Sequence, residues 1–271
     1  MATPDRYAVI GHPISHSQSP VIHSQFAQDT GQNIVYEAID VASDQLETML
    51  ARFAEEGGCG LNVTVPHKQA VLMLMDNLTE RAKLAGAVNT ITCKENGKLE
   101  GDNTDGVGLI KDLRDNLSVK LSDVRVLILG AGGATRGIIP PILEQQPAQL
   151  VIANRTESKA HNLAARFTEL GKVSGCSLDS LHEHQFNLII NATSAGLAET
   201  LPAFTPSILG AETVCYDLSY STHDTPFVAW AKKHDCAHTY QGWGMLVEQA
   251  AEAFYIWRGV RPPTSRARQL L

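Results

Sequence analysis

Short apolar runs alternate along the whole chain with longer stretches whose apolar residues recur at helical spacing, the pattern of strands followed by amphipathic helices. Residues 7–11 read as a first strand. Ser19-Pro20 then opens a helix, with Ser19 as its N-cap and Pro20 at the first helical position. Strands are expected over 34–39 and 60–63, and helices over 42–55 and 66–75, the last begun by Pro66. Residues 88–93 and 98–101 form a hairpin about Lys94-Glu95-Asn96-Gly97, and 104–116 a helix. After the polar stretch 116–123, residues 124–129 are almost continuously apolar, as suits a parallel strand buried on both faces. A second series follows, with strands over 150–153, 188–191 and 214–217. The segment 244–257 is one amphipathic helix carrying Leu246, Ala250, Ala253, Phe254 and Trp257 on one side.

Repeated strand–helix alternation predicts an α/β fold with mostly parallel sheets. Two successive series predict two α/β domains: a substrate domain over 1–105 and a Rossmann-type nucleotide domain over 106–240, with the helix in 241–271 packing back on the first. Ligands of such sheets bind at the carboxyl ends of the strands, so a cleft between two sets of strand ends is expected.

Composition narrows the classes. The 271 residues are 44% hydrophobic and 19% charged, with net charge −7, a globular balance that offers nothing basic enough for nucleic acid. No run of 18 apolar residues predicts a membrane span, and the N-terminus lacks a signal-peptide core. The five cysteines are scattered without a CxxC, which suggests reduced thiols and a cytoplasmic location. Among ten histidines, His234 and His238 or His12 and His16 have helical spacing, but no acidic partner completes a set, so no metal is expected.

Two strand ends carry most of the chemistry. Gly130-Ala131-Gly132-Gly133-Ala134-Thr135 follows the strand at 124–129 and opens a helix, the context of a pyrophosphate loop. The next strand ends in Asn154-Arg155-Thr156, with Lys159 one turn on. An NAD site wants an acid there. A guanidinium instead matches the 2′-phosphate of NADP in charge and fork geometry. In the first half, Asn62-Val63-Thr64-Val65-Pro66-His67-Lys68 packs Asn62, Thr64 and Lys68 into an otherwise apolar stretch, and polar groups near a core need partners or a ligand. Ser15 and Ser17 share a strand-end loop suited to a carboxylate or a diol. Asn89 begins another strand, and 101–106 carries two acids and two amides. Thr104 or Asp105 could serve only as a helix cap. A nicotinamide enzyme needs a group that gives or takes the alcohol proton. With no Ser-Tyr-x-x-x-Lys present, the candidates are Lys68 and Asp105, which could position the substrate hydroxyl as much as transfer its proton.

Taken together, GHPISHS (11–17), NVTVPHK (62–68), LTERAKLAGAVNT (78–90), GDNTDGVG (101–108), GAGGATRG (130–137), NRT (154–156), NATSAG (191–196), YDLSY (216–220) and QGWGMLVEQA (241–250) resemble the shikimate dehydrogenases over essentially the whole chain. The resemblance implies NADPH-dependent reduction of 3-dehydroshikimate to shikimate, with NADP(H) as cofactor, in a cytoplasmic monomer or homodimer. It implies that Ser15 and Ser17 bind the substrate carboxylate, that Asn62, Thr64, Asn89 and Gln249 bind ring hydroxyls with Tyr220 close by, and that Lys68 and Asp105 are the catalytic pair. For the cofactor it implies the loop Gly130, Ala131, Gly132, Gly133 and Ala134 at the pyrophosphate. Asn154, Arg155, Thr156 and Lys159 would surround the 2′-phosphate, and Thr193, Leu218 and Gly242 would line the nicotinamide, with Glu80 nearby. The chain departs from the family pattern at Thr135 for the third glycine, Leu218 for a frequent Met, and Thr222 for a proline after Tyr220. The alternatives are a quinate/shikimate dehydrogenase using NAD, against which Thr156 counts because that type carries an acid there, and a non-catalytic NADP-binding regulator on the same fold.

Overall fold

A computed structural model describes residues 3–193 and 205–271. The chain divides into two compact units, Met1–Leu109 with Leu246–Leu270, and Ile110–Met245.

The first unit holds β1 (Asp5–Gly11), α1 (Ser19–Thr30), β2 (Ile34–Asp40), α2 (Leu46–Glu55), β3 (Gly58–Val63), β4 (Asn77–Leu78), α3 (Glu80–Ala85), β5 (Thr90–Cys93), β6 (Leu99–Asp102) and the start of α4 (Asp105–Lys111). Its sheet runs β2-β1-β3-β5-β6-β4. The pairs β1–β2, β1–β3 and β4–β6 are parallel, and β5 lies antiparallel to both neighbours. Alternation along the strands splits the side chains between two faces. Ile10, Leu61, Val63 and Ile91 pack with Leu50 and Phe53 of α2 on one face. Tyr7, Val9 and Tyr36 pack with Trp257 on the other.

The second unit holds β7 (Arg125–Leu129), α5 (Gly133–Glu144), β8 (Gln149–Asn154), α6 (Glu157–Ala165), β9 (Val173–Ser177), β10 (Phe186–Asn191), β11 (Leu209–Asp217), α7 (Pro226–Lys233), β12 (His238–Gln241) and the start of α8 (Trp243–Arg258). All its strand pairs are parallel, in the order β12-β11-β10-β7-β8-β9. That is the doubly wound dinucleotide-binding order, reversing between β7 and β10.

The structure corrects three local expectations. The helix expected over 66–75 is a turn followed by a 3₁₀ segment, Ala70–Leu74. The Lys68 carbonyl accepts from the Val88 N–H at 2.8 Å, and the Leu72 N–H turns to Gln69 O at 3.3 Å. Ser19 is the first residue of α1 rather than its cap; the cap is Gln18. The helix expected to 116 is α-helical to Lys111 and then π-helical over Asp112–Asn116, where Leu117 N–H reaches Asp112 O. The strands β4, β9 and β12 lie outside the apolar runs because each is a short edge or near-edge strand of partly exposed residues.

Candidate active site

In the first unit, Asn62 is the penultimate residue of β3, Asn89 precedes β5, Asp105 opens α4 and Gln249 lies on α8. Lys68 sits in the turn after β3, and that turn is fixed from below. The buried His67 ring meets the Val41 carbonyl at 2.7 Å, and His67 N–H donates to Thr64 O at 2.9 Å. Lys68 Nζ then donates to Asp105 Oδ2 at 2.6 Å, with the two side chains 13% and 4% exposed. So enclosed an ion pair depends on both members, because losing either strands the other charge away from water.

Asn89 is the hub around this pair. Its Nδ2 donates to Asp105 Oδ1 at 2.8 Å, Thr104 Oγ1 at 2.9 Å and Gln249 Oε1 at 3.2 Å. Its Oδ1 accepts from Thr104 N–H at 2.8 Å and from the Thr90 hydroxyl at 2.8 Å. An amide nitrogen has only two protons for those three acceptors, so the long bond to Gln249 is the one a ligand hydroxyl would displace most readily. Asn62 joins the network by donating to Asn89 O and Thr90 Oγ1, each at 3.2 Å.

Behind the hub, Arg81 grips Asp102 with a two-pronged contact of 2.5 and 2.7 Å and also reaches Glu252 at 3.1 Å. Burial pushes the Asp102 carboxyl up, but Arg81 and the Thr79 hydroxyl outweigh it and hold it below the usual carboxylate range. This ties β6 in place immediately before Asn103, whose side chain accepts from Asp105 N–H at 3.1 Å.

The remaining residues expected at the substrate have fewer ties. Ser15 is exposed. Ser17 Oγ accepts from Ser19 N–H at 3.3 Å, and so has the helix-end duty that the sequence reading gave to Ser19. Thr64 is half-buried, and its methyl lies where a side chain on Gly11 would have to go. Tyr220 belongs to the second unit, where it meets Trp243 edge to face at 5.4 Å.

In the second unit, Gly130 has φ +104°, and an added Cβ would sit 3.0 Å from Ala192 O. Gly132 faces open space and precedes α5 with no side chain capping the helix N-terminus. Ala131, Gly133 and Ala134 complete this turn into α5, and Thr135 closes it from inside, its hydroxyl donating to Gly130 O at 3.0 Å. A hydroxyl thus replaces the third glycine without filling the cradle. At the end of β8, Asn154 Nδ2 donates to Thr156 O at 2.9 Å. Arg155 and Lys159 are exposed and have no ion pair among the described residues. An open glycine cradle at a helix N-terminus and two uncommitted cations fit a dinucleotide with an extra phosphate.

Thr193, Leu218 and Gly242 cluster after β10, β11 and β12. Thr193 Oγ1 donates to Asn191 Oδ1 at 2.7 Å, Leu218 N–H to Asn191 O at 2.9 Å, and a Cβ on Gly242 would overlap the Leu218 carbonyl. The buried Asp217 anchors this rim through Asn191, Ser219 and Thr225; burial raises its carboxyl, and those three bonds only partly offset it. Glu80 lies in the first unit and pairs with Lys83 at 2.6 Å. Residues 194–196 of the NATSAG motif lie outside the described residues. Among the described residues no three of His, Cys, Asp and Glu assemble as a metal-binding group.

Sequence reading missed Tyr36, Thr90, Arg81 and Asp217. Thr90, Arg81 and Asp217 stand inside the quoted motifs, which was a usable signal. Nothing in the sequence links Tyr36 to Asn62.

A doubly wound sheet with a phosphate cradle, joined in one chain to a unit that encloses a lysine–aspartate pair, defines a two-domain α/β oxidoreductase of the nicotinamide-nucleotide class. Family models described as the shikimate dehydrogenase substrate binding domain, shikimate/quinate 5-dehydrogenase and the shikimate 5′-dehydrogenase C-terminal domain match residues 9–91, 112–200 and 242–271. A shikimate dehydrogenase (NADP(+)) of Methylococcus capsulatus is 52% identical over 264 residues, covering 97% of this chain and 95% of its own. The Ael1 enzyme of Pseudomonas putida superposes with a TM-score of 0.90 at 43% identity, covering 98% of both chains. Shikimate 5-dehydrogenase of Thermus thermophilus, solved in complex with NADP(H) and shikimate, gives 0.86 at 32% identity over 98% of this chain and 97% of that one. The chain belongs to the shikimate dehydrogenase family. No helix among the described residues is long and apolar enough to cross a membrane.

Proposed function

We propose that this chain is an NADP-dependent shikimate dehydrogenase, catalysing the reversible reduction of 3-dehydroshikimate to shikimate. The observation that carries the reading is the enclosed Lys68–Asp105 pair held by Asn89. NADPH, when bound, supplies the hydride to the keto carbon. Gly130 to Ala134 would hold its pyrophosphate, Arg155 and Lys159 its 2′-phosphate with Asn154 and Thr156 beside them, and Thr193, Leu218 and Gly242 its nicotinamide.

The rest is done by side chains of the first unit. Ser15 and Ser17 bind the carboxylate, and Asn62, Thr64, Asn89 and Gln249 bind the ring hydroxyls. Lys68 Nζ spends one proton on Asp105 and directs the others at the keto oxygen. As negative charge develops there, the ammonium stabilises it and supplies the proton; in the oxidative direction the amine takes it back. Asp105 fixes Nζ in place and keeps its charge throughout.

Oxidation of shikimate by NADP, followed as NADPH absorbance, tests the reading, with quinate and NAD as competitors. Faster turnover of quinate with NAD would overturn it. Lys68→Ala is expected to lower kcat by about 100-fold or more, and activity near wild type would refute the catalytic assignment. The same reading places the enzyme in the cytoplasm as a monomer or homodimer, which sedimentation of the purified protein resolves.

A further inference from the structure

Asn62 has more constraints on it than a hydroxyl-binding residue requires. Its Nδ2 faces the Asn89 carbonyl, an oxygen that can only accept, and its second proton points to Thr90 Oγ1. These contacts orient the nitrogen side of the amide. The oxygen side is held by a residue two strands away: Tyr36 on β2 reaches past β1, and its hydroxyl donates to Asn62 Oδ1 at 2.7 Å. That bond is buried and occupies one of the two lone pairs of Oδ1, leaving the other for an incoming donor.

Tyr36 is itself clamped. His23 of α1 stacks face to face on its ring, with centroids 4.1 Å apart and planes within 5°. His23 has no solvent exposure, and both of its ring nitrogens lack a hydrogen-bond partner. Phe26, Phe254 and Trp257 surround it. A buried imidazole with neither nitrogen satisfied is costly to the fold, so what this ring contributes here is its flat face.

Resting on the shikimate dehydrogenase reading, we propose that Tyr36, clamped by His23, is a positioning residue for substrate recognition. Its hydroxyl fixes the rotation of the Asn62 amide so that the remaining lone pair of Oδ1 is presented to a ring hydroxyl of the substrate. Without that hydroxyl the oxygen side of the amide has no tether, and the terminal torsion of asparagine is a soft one. Tyr36 touches neither substrate nor cofactor; it acts through Asn62.

The test is a double-mutant cycle on shikimate oxidation with NADP. Tyr36→Phe removes one oxygen atom from the protein. It is expected to raise the KM for shikimate roughly fivefold, the size of one lost hydrogen bond, while the KM for NADP and kcat stay within twofold. In an Asn62→Ala background the same change is expected to leave the KM for shikimate where Asn62→Ala alone puts it. An unchanged KM in the single variant, or a further rise in the double, overturns the proposal. His23→Phe keeps the stacked face and removes the two unpartnered nitrogens, so the melting temperature is expected to rise with the KM for shikimate unchanged. A KM raised as far as in Tyr36→Phe would overturn the clamp. If the wild-type protein turns over no shikimate, the reaction assignment fails and the proposal with it; if it does and Tyr36→Phe matches it, the proposal alone fails.

Discussion

His23 gives the residue scale a sharp pH signature. Burial pulls its imidazole from 6.5 down to about 3. Above pH about 6.5 the ring is neutral in both folded and unfolded chains and contributes nothing to pH dependence. As pH falls from there toward 3, the unfolded chain takes up a proton that the fold refuses. Stability should therefore drop by up to about 1.4 kcal/mol for each pH unit. In the upper part of that window ordinary carboxylates are still ionised, so the loss there is assigned to histidine. Urea unfolding of wild type and His23→Phe between pH 7 and 5 checks this: the variant should lose less stability on acidification, and parallel curves would refute it. At this scale the sequence was legible where chemistry and motif coincide. Lys68, Asp105, Asn89 and Gln249 were named from it and are bonded together. It was silent on Tyr36 and His23, which read as ordinary strand and helix residues until the sheet brings the tyrosine over Asn62.

At the scale of elements, the aromatic face of the first sheet depends on a strand position with no side chain. Gly60 lies beneath Trp257, and an added Cβ would sit 2.5 Å from the indole Nε1. That nitrogen donates to Ile91 O at 3.1 Å, so the ring is bonded in place and resists moving aside. Gly60→Ala is expected to cost about 1–3 kcal/mol by overpacking, read as a lower denaturation midpoint together with altered tryptophan fluorescence; a midpoint equal to wild type would show the helix to be free to shift. The strands with strong apolar runs, β1, β3 and β7, were visible in the sequence because burial on a sheet demands that pattern. The turn at 64–69 was not. Its apolar spacing is that of a helix, but the Lys68 carbonyl there accepts from Val88, a partner twenty residues away in sequence that local spacing does not reveal. The edge strands β9 and β12 escaped for the opposite reason: they are half-exposed and carry little hydrophobic signal.

At the scale of the whole molecule, each unit has its own sheet and its own buried cluster, and the residues proposed for substrate and cofactor fall largely one set to each. Ligands that bind only the native state stabilise what they touch. Shikimate alone is therefore expected to slow amide exchange around Asn89, Thr104 and Asp105, and NADP alone around residues 130–136 and 154–159. Hydrogen-exchange mass spectrometry with each ligand separately measures this. Protection of the glycine loop by shikimate alone would contradict the division of labour. Class and family were legible from sequence because nine motifs occur in fixed order. The hairpin of β5 and β6 was legible too, but the strand order was not, since nothing in the sequence places β5 antiparallel beside β3.

The first unit is discontinuous, with Leu246–Leu270 belonging to Met1–Leu109. This has a bearing on birth at the ribosome. Residues 110–245 emerge as one uninterrupted stretch and can assemble their sheet as soon as it clears the exit tunnel, since domains generally fold as units during synthesis. The N-terminal sheet, although translated first, must wait for Phe254 and Trp257 to cover Tyr7, His23 and Phe26, and for Gln249 to complete the amide network. The nascent protein thus carries an uncovered aromatic surface through most of its translation, and its proposed substrate site is completed only when α8 arrives.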